Sequence, residues 1–147
     1  MDADESKVRD IELTLAASSW RVPLRAALGR DGSPGSRREL PHGARIIEQS
    51  GGQCARLLSD FYHMQMEEQD ITDTLTRYGK YTGYVHMADG VKRTEPGSLP
   101  FDYRPGFKAL KTAGFCGWLT VESGASDNPD AALERALKYV RRQWQEA

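Results

Sequence analysis

Residues 101–122 read FDYRPGFKALKTAGFCGWLTVE, and this stretch decides the predicted fold. Pro105 is typical of the first turn of a helix, and Gly114 is typical of the residue that ends one. Residues 117–122 (GWLTVE) follow as an apolar strand that ends in the carboxylate of Glu122. The stretch therefore predicts a helix followed by a buried strand, which is the recurring arrangement of an α/β protein.

The same arrangement occurs twice more towards the N terminus. Residues 55–60 (ARLLSD) and 81–87 (YTGYVHM) are short apolar runs that predict strands, and a helical face of Ile71, Leu75 and Tyr78 lies between them. The spacing of roughly 30 residues between strand ends is that of a βαβ unit. Parallel strands joined by right-handed helical crossovers follow from this order.

The C-terminal helix has the strongest boundary signals. Asp127 or Asn128 can cap its N terminus, and Pro129 suits its first turn. An apolar stripe recurs at helical spacing and is expected to pack on the sheet; it consists of Leu133, Leu137, Val140 and Trp144. Trp118, on the last predicted strand, is expected to fill the layer of side chains beneath the strand ends.

Length and composition limit the class of protein. The chain has 147 residues, hydrophobic residues make up 39%, and the net charge is −1. This balance argues against nucleic acid or an anionic membrane as a partner. No apolar run is long enough to span a bilayer, and the acidic start MDADE is not that of a signal peptide. A cytoplasmic location is therefore expected, with Cys54 and Cys116 as free thiols.

Each predicted strand ends in a residue that can bind a metal ion, namely Asp60, His86 and Glu122. Because function collects at the carboxyl ends of parallel strands, these side chains are expected to converge. Two carboxylates and an imidazole suit Mn²⁺, Mg²⁺, Co²⁺ or Zn²⁺. A carboxylate at a strand end can instead cap a loop, and a histidine there can be a hydrogen-bonded core residue. The spacing alone leaves both interpretations open.

Four segments together resemble the sugar phosphate isomerase/epimerase family: SDFYHM (59–64), YVHMAD (84–89), Arg93 with Pro96-Gly97, and residues 101–122. This family has a xylose-isomerase-like barrel and includes ketose 3-epimerases, hydroxypyruvate isomerases and inosose dehydratases. The resemblance implies an α/β fold, a partial (βα) TIM barrel made of about its last three to four βα units, with parallel strands and flanking helices.

The resemblance also implies a division of the chain, since a complete barrel needs ~250 residues. Residues 1–43 are expected to be a degraded or divergent N-terminal segment with a flexible loop at 29–38, and residues 44–147 the C-terminal half of the barrel. Such a half-barrel exposes sheet edges and an apolar face. We therefore expect self-association or a complementary half-barrel chain, unless the chain is a truncated remnant.

The family's site residues match five positions of this sequence. Asp60 and His86 match metal ligands, and Glu122 matches a glutamate that both binds the metal and transfers a proton. His63 matches a histidine that contacts substrate oxygens, and Arg93 an arginine that holds sugar hydroxyls or a phosphate. The implied reaction is metal-assisted proton transfer next to a ketose carbonyl through an enediolate, on a small carbohydrate.

One departure from the family pattern bears on activity. A second catalytic glutamate would end the preceding strand, but the matching residues 10–17 (DIELTLAA) lead into Ser18 without a carboxylate there. The isolated chain is therefore expected to bind its metal weakly and to be inactive. A dehydratase of ketoses or inososes uses nearly the same groups and stays an alternative. A zinc endonuclease of this barrel class needs more histidines than the three present.

Overall fold

The computed structural model describes residues 40–50, 55–67, 70–90 and 92–147. Within them, three strands form one parallel sheet: β1 (Leu57–Asp60), β2 (Thr82–Met87) and β3 (Trp118–Val121). Their order in the sheet is their order in the chain. The three predicted strands are confirmed, each slightly shorter than its apolar run. The predictions for residues 10–17 and for the loop at 29–38 lie outside the described residues.

In the part of the chain that the structure describes, five α-helices accompany the strands: α1 (Leu40–Ser50), α2 (Phe61–Glu67), α3 (Ile71–Tyr78), α4 (Arg104–Thr112) and α5 (Pro129–Gln145). A 3₁₀ turn at Gly79–Tyr81 leads from α3 into β2. The fold is thus α/β with a parallel sheet and flanking helices, as predicted. Helix α1 begins at Leu40, whose side chain is buried in the core.

The strand register contains one irregularity that glycines allow. Leu57 pairs with Thr82 and Leu58 with Tyr84, so Gly83 is an extra residue in β2. A Cβ at Gly117, just before β3, would lie 2.0 Å from the carbonyl oxygen of Gly83. No side chain fits in that space, so glycine at position 117 permits the close approach of β2 and β3.

The helices cover one face of the sheet. Val85 and Met87 of β2 and Leu119 of β3 belong to the hydrophobic core. Helix residues complete this core, chiefly Leu40, Phe61, Leu75, Phe107, Leu110 and Val140. Because side chains alternate across a strand, the residues between them lie on the opposite face.

The opposite face carries Leu58, Tyr84 and Trp118, one from each strand and paired across the sheet. Leu58 and Tyr84 are only half-buried, and Trp118 is 47% exposed. The expectation that Trp118 fills a buried layer is therefore wrong for the described part of the chain, in which the ring stays half in solvent.

The buried side of helix α5 lies next to the predicted apolar stripe and only partly overlaps it. Ala132, Ala136 and Val140 are its buried hydrophobic residues, whereas Leu133 and Leu137 are half-buried. The ring of Trp144 lies against Phe107 of α4, with ring centroids 5.2 Å apart, and packs against the hydrophobic core. Small side chains let α5 approach its neighbours closely, which a pattern of large apolar residues does not reveal.

No helix in the described ranges combines the length and the apolar character needed to cross a membrane.

Candidate metal centre

The three predicted ligands meet at the carboxyl ends of the strands. Asp60 is the last residue of β1 and pairs with His86 of β2, while Glu122 directly follows β3. One ligand atom from each lies within 4.8 Å of the others. Parallel pairing in register produces this convergence, since it brings successive strand ends to the same edge.

The distances between these side chains favour one common metal-binding site over three separate loop caps. His86 Nδ1 lies 2.9 Å from Glu122 Oε2 and 4.0 Å from Asp60 Oδ2. The side chain of Asp60 is 12% exposed and that of Glu122 is 38% exposed, so the site opens to solvent on the Glu122 side. Two carboxylate oxygens and an imidazole nitrogen, converging in this way, fit a hard or borderline divalent ion.

Asp60 uses its two oxygens for different purposes. Its Oδ1 accepts the backbone N–H groups of Tyr62 at 3.0 Å and His63 at 3.4 Å, which caps helix α2. Its Oδ2 points to His86 and leaves the cap intact. Asp60 is therefore both a loop cap and a member of the cluster, so the two interpretations of the sequence are not exclusive.

Arg93 lies within the same cluster. Its Nη2 is 3.3 Å from Asp60 Oδ2 and also forms an ion pair with Glu122 Oε2. Its Nε donates to the backbone oxygen of Glu122 at 3.2 Å. The guanidinium carbon lies 4.9 Å from the ring centroid of Tyr62, a cation–π arrangement.

His63 lies at the margin of the cluster. Its Nε2 is 3.7 Å from Asp60 Oδ2, and its ring meets the ring of Tyr62 edge-on, with centroids 5.2 Å apart. All five residues predicted for the site thus lie in one neighbourhood. Their individual roles stay predictions.

A buried carboxylate fixes the start of the loop that carries Arg93. Asp89 is 0% exposed; its Oδ2 accepts the N–H groups of Gly97 at 2.7 Å and Leu99 at 3.0 Å. Its Oδ1 accepts the hydroxyl of Tyr103 at 2.6 Å. Burial raises the pKa of Asp89 although these hydrogen bonds oppose the rise. Burial and the neighbouring Asp89 also raise the pKa of Tyr103 far above its ordinary value.

A second buried carboxylate joins this loop to the one that follows β3. Glu95 accepts the backbone N–H of Ser126 at 2.8 Å, its hydroxyl at 2.6 Å and Arg135 Nη2 at 2.8 Å. Burial alone would raise the pKa of Glu95, but the hydrogen bonds from Ser126 and Arg135 outweigh it and lower the pKa. The loops of Arg93 and Glu122 are therefore held to each other.

Sequence reasoning missed three residues that shape the site: Tyr62, Asp89 and Glu95. Asp89 lies in the segment YVHMAD and Tyr62 in SDFYHM, and both segments belong to the set that carries the family resemblance. Glu95 has no such signal, because its importance depends on a contact with Ser126 far along the chain.

Comparison with known proteins connects this geometry to a family. A sequence model of the family described as xylose isomerase-like TIM barrel matches residues 24–143. Hydroxypyruvate isomerase from Escherichia coli K12 is 28% identical over 96 residues, which is 65% of this chain and 36% of that protein. A probable ketose 3-epimerase from Synechocystis is 37% identical over 105 residues, covering 60% of this chain and 36% of that protein.

Solved structures show the same fold. The apo form of 3-keto-D-glucoside 4-epimerase from E. coli superposes with a TM-score of 0.65 at 25% identity, over 73% of this chain and 42% of that one. D-allulose 3-epimerase from Methylomonas sp., in complex with D-allulose, superposes with a TM-score of 0.62 at 24% identity, over 71% and 42%. This chain thus spans well under half the length of these relatives.

Proposed function

Since this chain belongs to the xylose isomerase-like TIM barrel family, we propose that it serves in isomerase or epimerase chemistry on a small carbohydrate, with a divalent metal ion held by Asp60, His86 and Glu122. The convergence of these side chains within 4.8 Å carries the proposal. It is supported by relatives described as isomerases and epimerases, including hydroxypyruvate isomerase and a probable ketose 3-epimerase.

In this proposal, Glu122 transfers the proton, and the other site residues bind the metal ion or the substrate. A bound divalent ion would polarise a substrate carbonyl and stabilise the negative charge that develops on its oxygen. Glu122 takes the proton from the carbon next to that carbonyl, and its solvent-facing side lets a substrate reach it. Return of the proton to the carbonyl carbon, together with transfer of the neighbouring hydroxyl proton to the carbonyl oxygen, gives an isomer. His63 and Arg93 hold the other substrate oxygens.

Epimerisation needs a second acid–base group on the opposite side of the substrate. Within the described residues we assign proton transfer to Glu122 alone, and the face that carries Trp118 is open to solvent. We place the second group on a complementary half-barrel or on another copy of the chain. The 147-residue chain by itself should therefore show negligible turnover of ketoses, because loss of one positioned acid or base typically costs about 10²–10⁴ in rate.

Calorimetric titration with MnCl₂ tests the metal site directly. Asp60→Asn and Glu122→Gln remove one charge each, and Asn at position 60 still accepts the capping bonds of α2. Asp73→Asn is the matched control, because Asp73 is an exposed carboxylate on α3 that pairs with Arg77. Loss of a residue that only supports a metal ligand typically lowers metal affinity about 10–100-fold. Each site variant changes a ligand itself and should therefore weaken Mn²⁺ binding by more than about tenfold. Equal binding by all variants would refute the assignment.

A further inference from the structure

We propose that Arg93 competes with the divalent ion for Asp60 and Glu122. In this inference, which rests on the metal site proposed above, the guanidinium neutralises the two carboxylates when no ion is bound. An entering ion has to displace it or share the carboxylates with its positive charge. Arg93 thereby sets the metal affinity of the site.

The competition follows from the atoms that Arg93 contacts. One nitrogen, Nη2, pairs with Asp60 Oδ2 and with Glu122 Oε2. These are the same two oxygens that approach His86 Nδ1. A guanidinium and a metal ion would therefore draw on the same two oxygens, and the positive charge of Arg93 would oppose an entering dication.

Arg93 is held at this position by the fold. Its φ of 52° lies in the left-handed region, which is uncommon for a residue other than glycine and typical of functional sites. Its carbonyl oxygen accepts the N–H of Gly124 at 2.8 Å, and Thr94 exchanges backbone hydrogen bonds with Asp89 at 2.8 and 3.2 Å. The backbone at Arg93 and Thr94 is thus held in place, so the side chain of Arg93 can move away from the carboxylates on its own.

Charge explains why the competition lowers affinity. Asp60 and Glu122 together carry two negative charges, and Arg93 cancels one of them. An entering dication is therefore attracted less strongly by the two carboxylates and is repelled by the guanidinium. It also has to compete with two ion pairs, of which the Asp60 carboxylate is largely shielded from solvent. Removal of the guanidinium should accordingly strengthen metal binding, which is the opposite of what loss of an ordinary structural or substrate-binding residue would do.

The experiment compares metal affinity in variants of position 93. Arg93→Gln should bind Mn²⁺ about tenfold more tightly than the wild-type chain, since loss of two partly exposed ion pairs and a repulsive charge amounts to about one tenfold step. Arg77→Gln is the matched control because it removes the same charge from α3, away from the site, and it should leave the affinity unchanged. Arg93→Met, which also removes the charge and keeps an unbranched side chain, should likewise bind more tightly than wild type and serves if Arg93→Gln does not fold.

Each outcome separates this inference from the proposed function. Tighter binding by Arg93→Gln with no change in Arg77→Gln supports the competition. Equal or weaker binding by the position 93 variants, while the wild-type chain binds Mn²⁺ and Asp60→Asn does not, overturns the competition and leaves the metal site standing. Absence of binding in wild type and in every position 93 variant overturns both.

Discussion

Asp89 is a carboxylate without solvent contact that is held by three hydrogen-bond donors. Asp89→Ala would leave the N–H groups of Gly97 and Leu99 and the hydroxyl of Tyr103 unpaired inside the protein. We expect a loss of about 3 kcal/mol or more in unfolding free energy, measured by urea denaturation. Tyr103→Phe, which removes one donor and keeps the ring, should cost about 1 kcal/mol. Similar small losses in both variants would contradict this role of Asp89.

Individual residues of the site differ in how well the sequence predicts them. Asp60, His86 and Glu122 could be found because each ends a strand, and parallel pairing must bring strand ends together. The ion pairs of Arg93 could not be found, because they depend on the left-handed turn at that residue and on its bond from Gly124. Spacing along a chain carries no information about such a turn.

Helix α5 depends on its N-terminal cap. Asn128 Oδ1 accepts the N–H groups of Asp130 and Ala131, both at 3.1 Å, and Pro129 occupies the first turn. Asn128→Ala should lower the free energy of unfolding by about 1 kcal/mol. Asn128→Asp is the control, since a carboxylate accepts the same bonds and should keep wild-type stability. Chemical denaturation measures both, and equal losses in the two variants would show that the cap does not stabilise the helix.

Among the elements, boundaries set by local chemistry were predicted best. The start of α5 follows from Asn128 and Pro129, which act within one turn. Its buried line was predicted less well, because Ala132 and Ala136 are buried by the close approach of neighbouring elements. A pattern based on large apolar residues favours Leu133 and Leu137 instead. Only the packed structure shows which side of the helix faces inwards.

The whole molecule presents an apolar sheet face without a covering layer in the described residues. Leu58 and Tyr84 are half-buried there and Trp118 is 47% exposed, while the net charge of −1 gives little repulsion between copies. We expect the chain to form dimers or larger species at micromolar concentration, as measured by sedimentation.

Two variants locate the surface responsible for this association. Trp118→Gln should shift the population towards monomer, whereas Met66→Gln, which removes an exposed apolar side chain from α2, should not. A single 16.4 kDa wild-type species that unfolds cooperatively would contradict the expectation of association.

At this scale the fold class could be predicted because strand, helix and strand recur at a regular spacing. What covers the face that carries Trp118 could not be predicted, because the spacing of strands and helices does not show which surface packs there. Each strand pairs with the next strand of the chain, which is the simplest order for successive βαβ units.

That strand order places the metal-site residues in regions of unequal protection against hydrogen exchange. β2 is hydrogen-bonded to both β1 and β3, whereas each outer strand has one partner among the described residues. Amides of β2 should therefore exchange only in the largest opening events, while those of β1 and β3 open in smaller, more frequent ones. His86 lies on the slowly opening strand, and Asp60 and Glu122 lie at the ends of the faster ones. The cluster can thus come apart and re-form at its carboxylates while its imidazole stays in place.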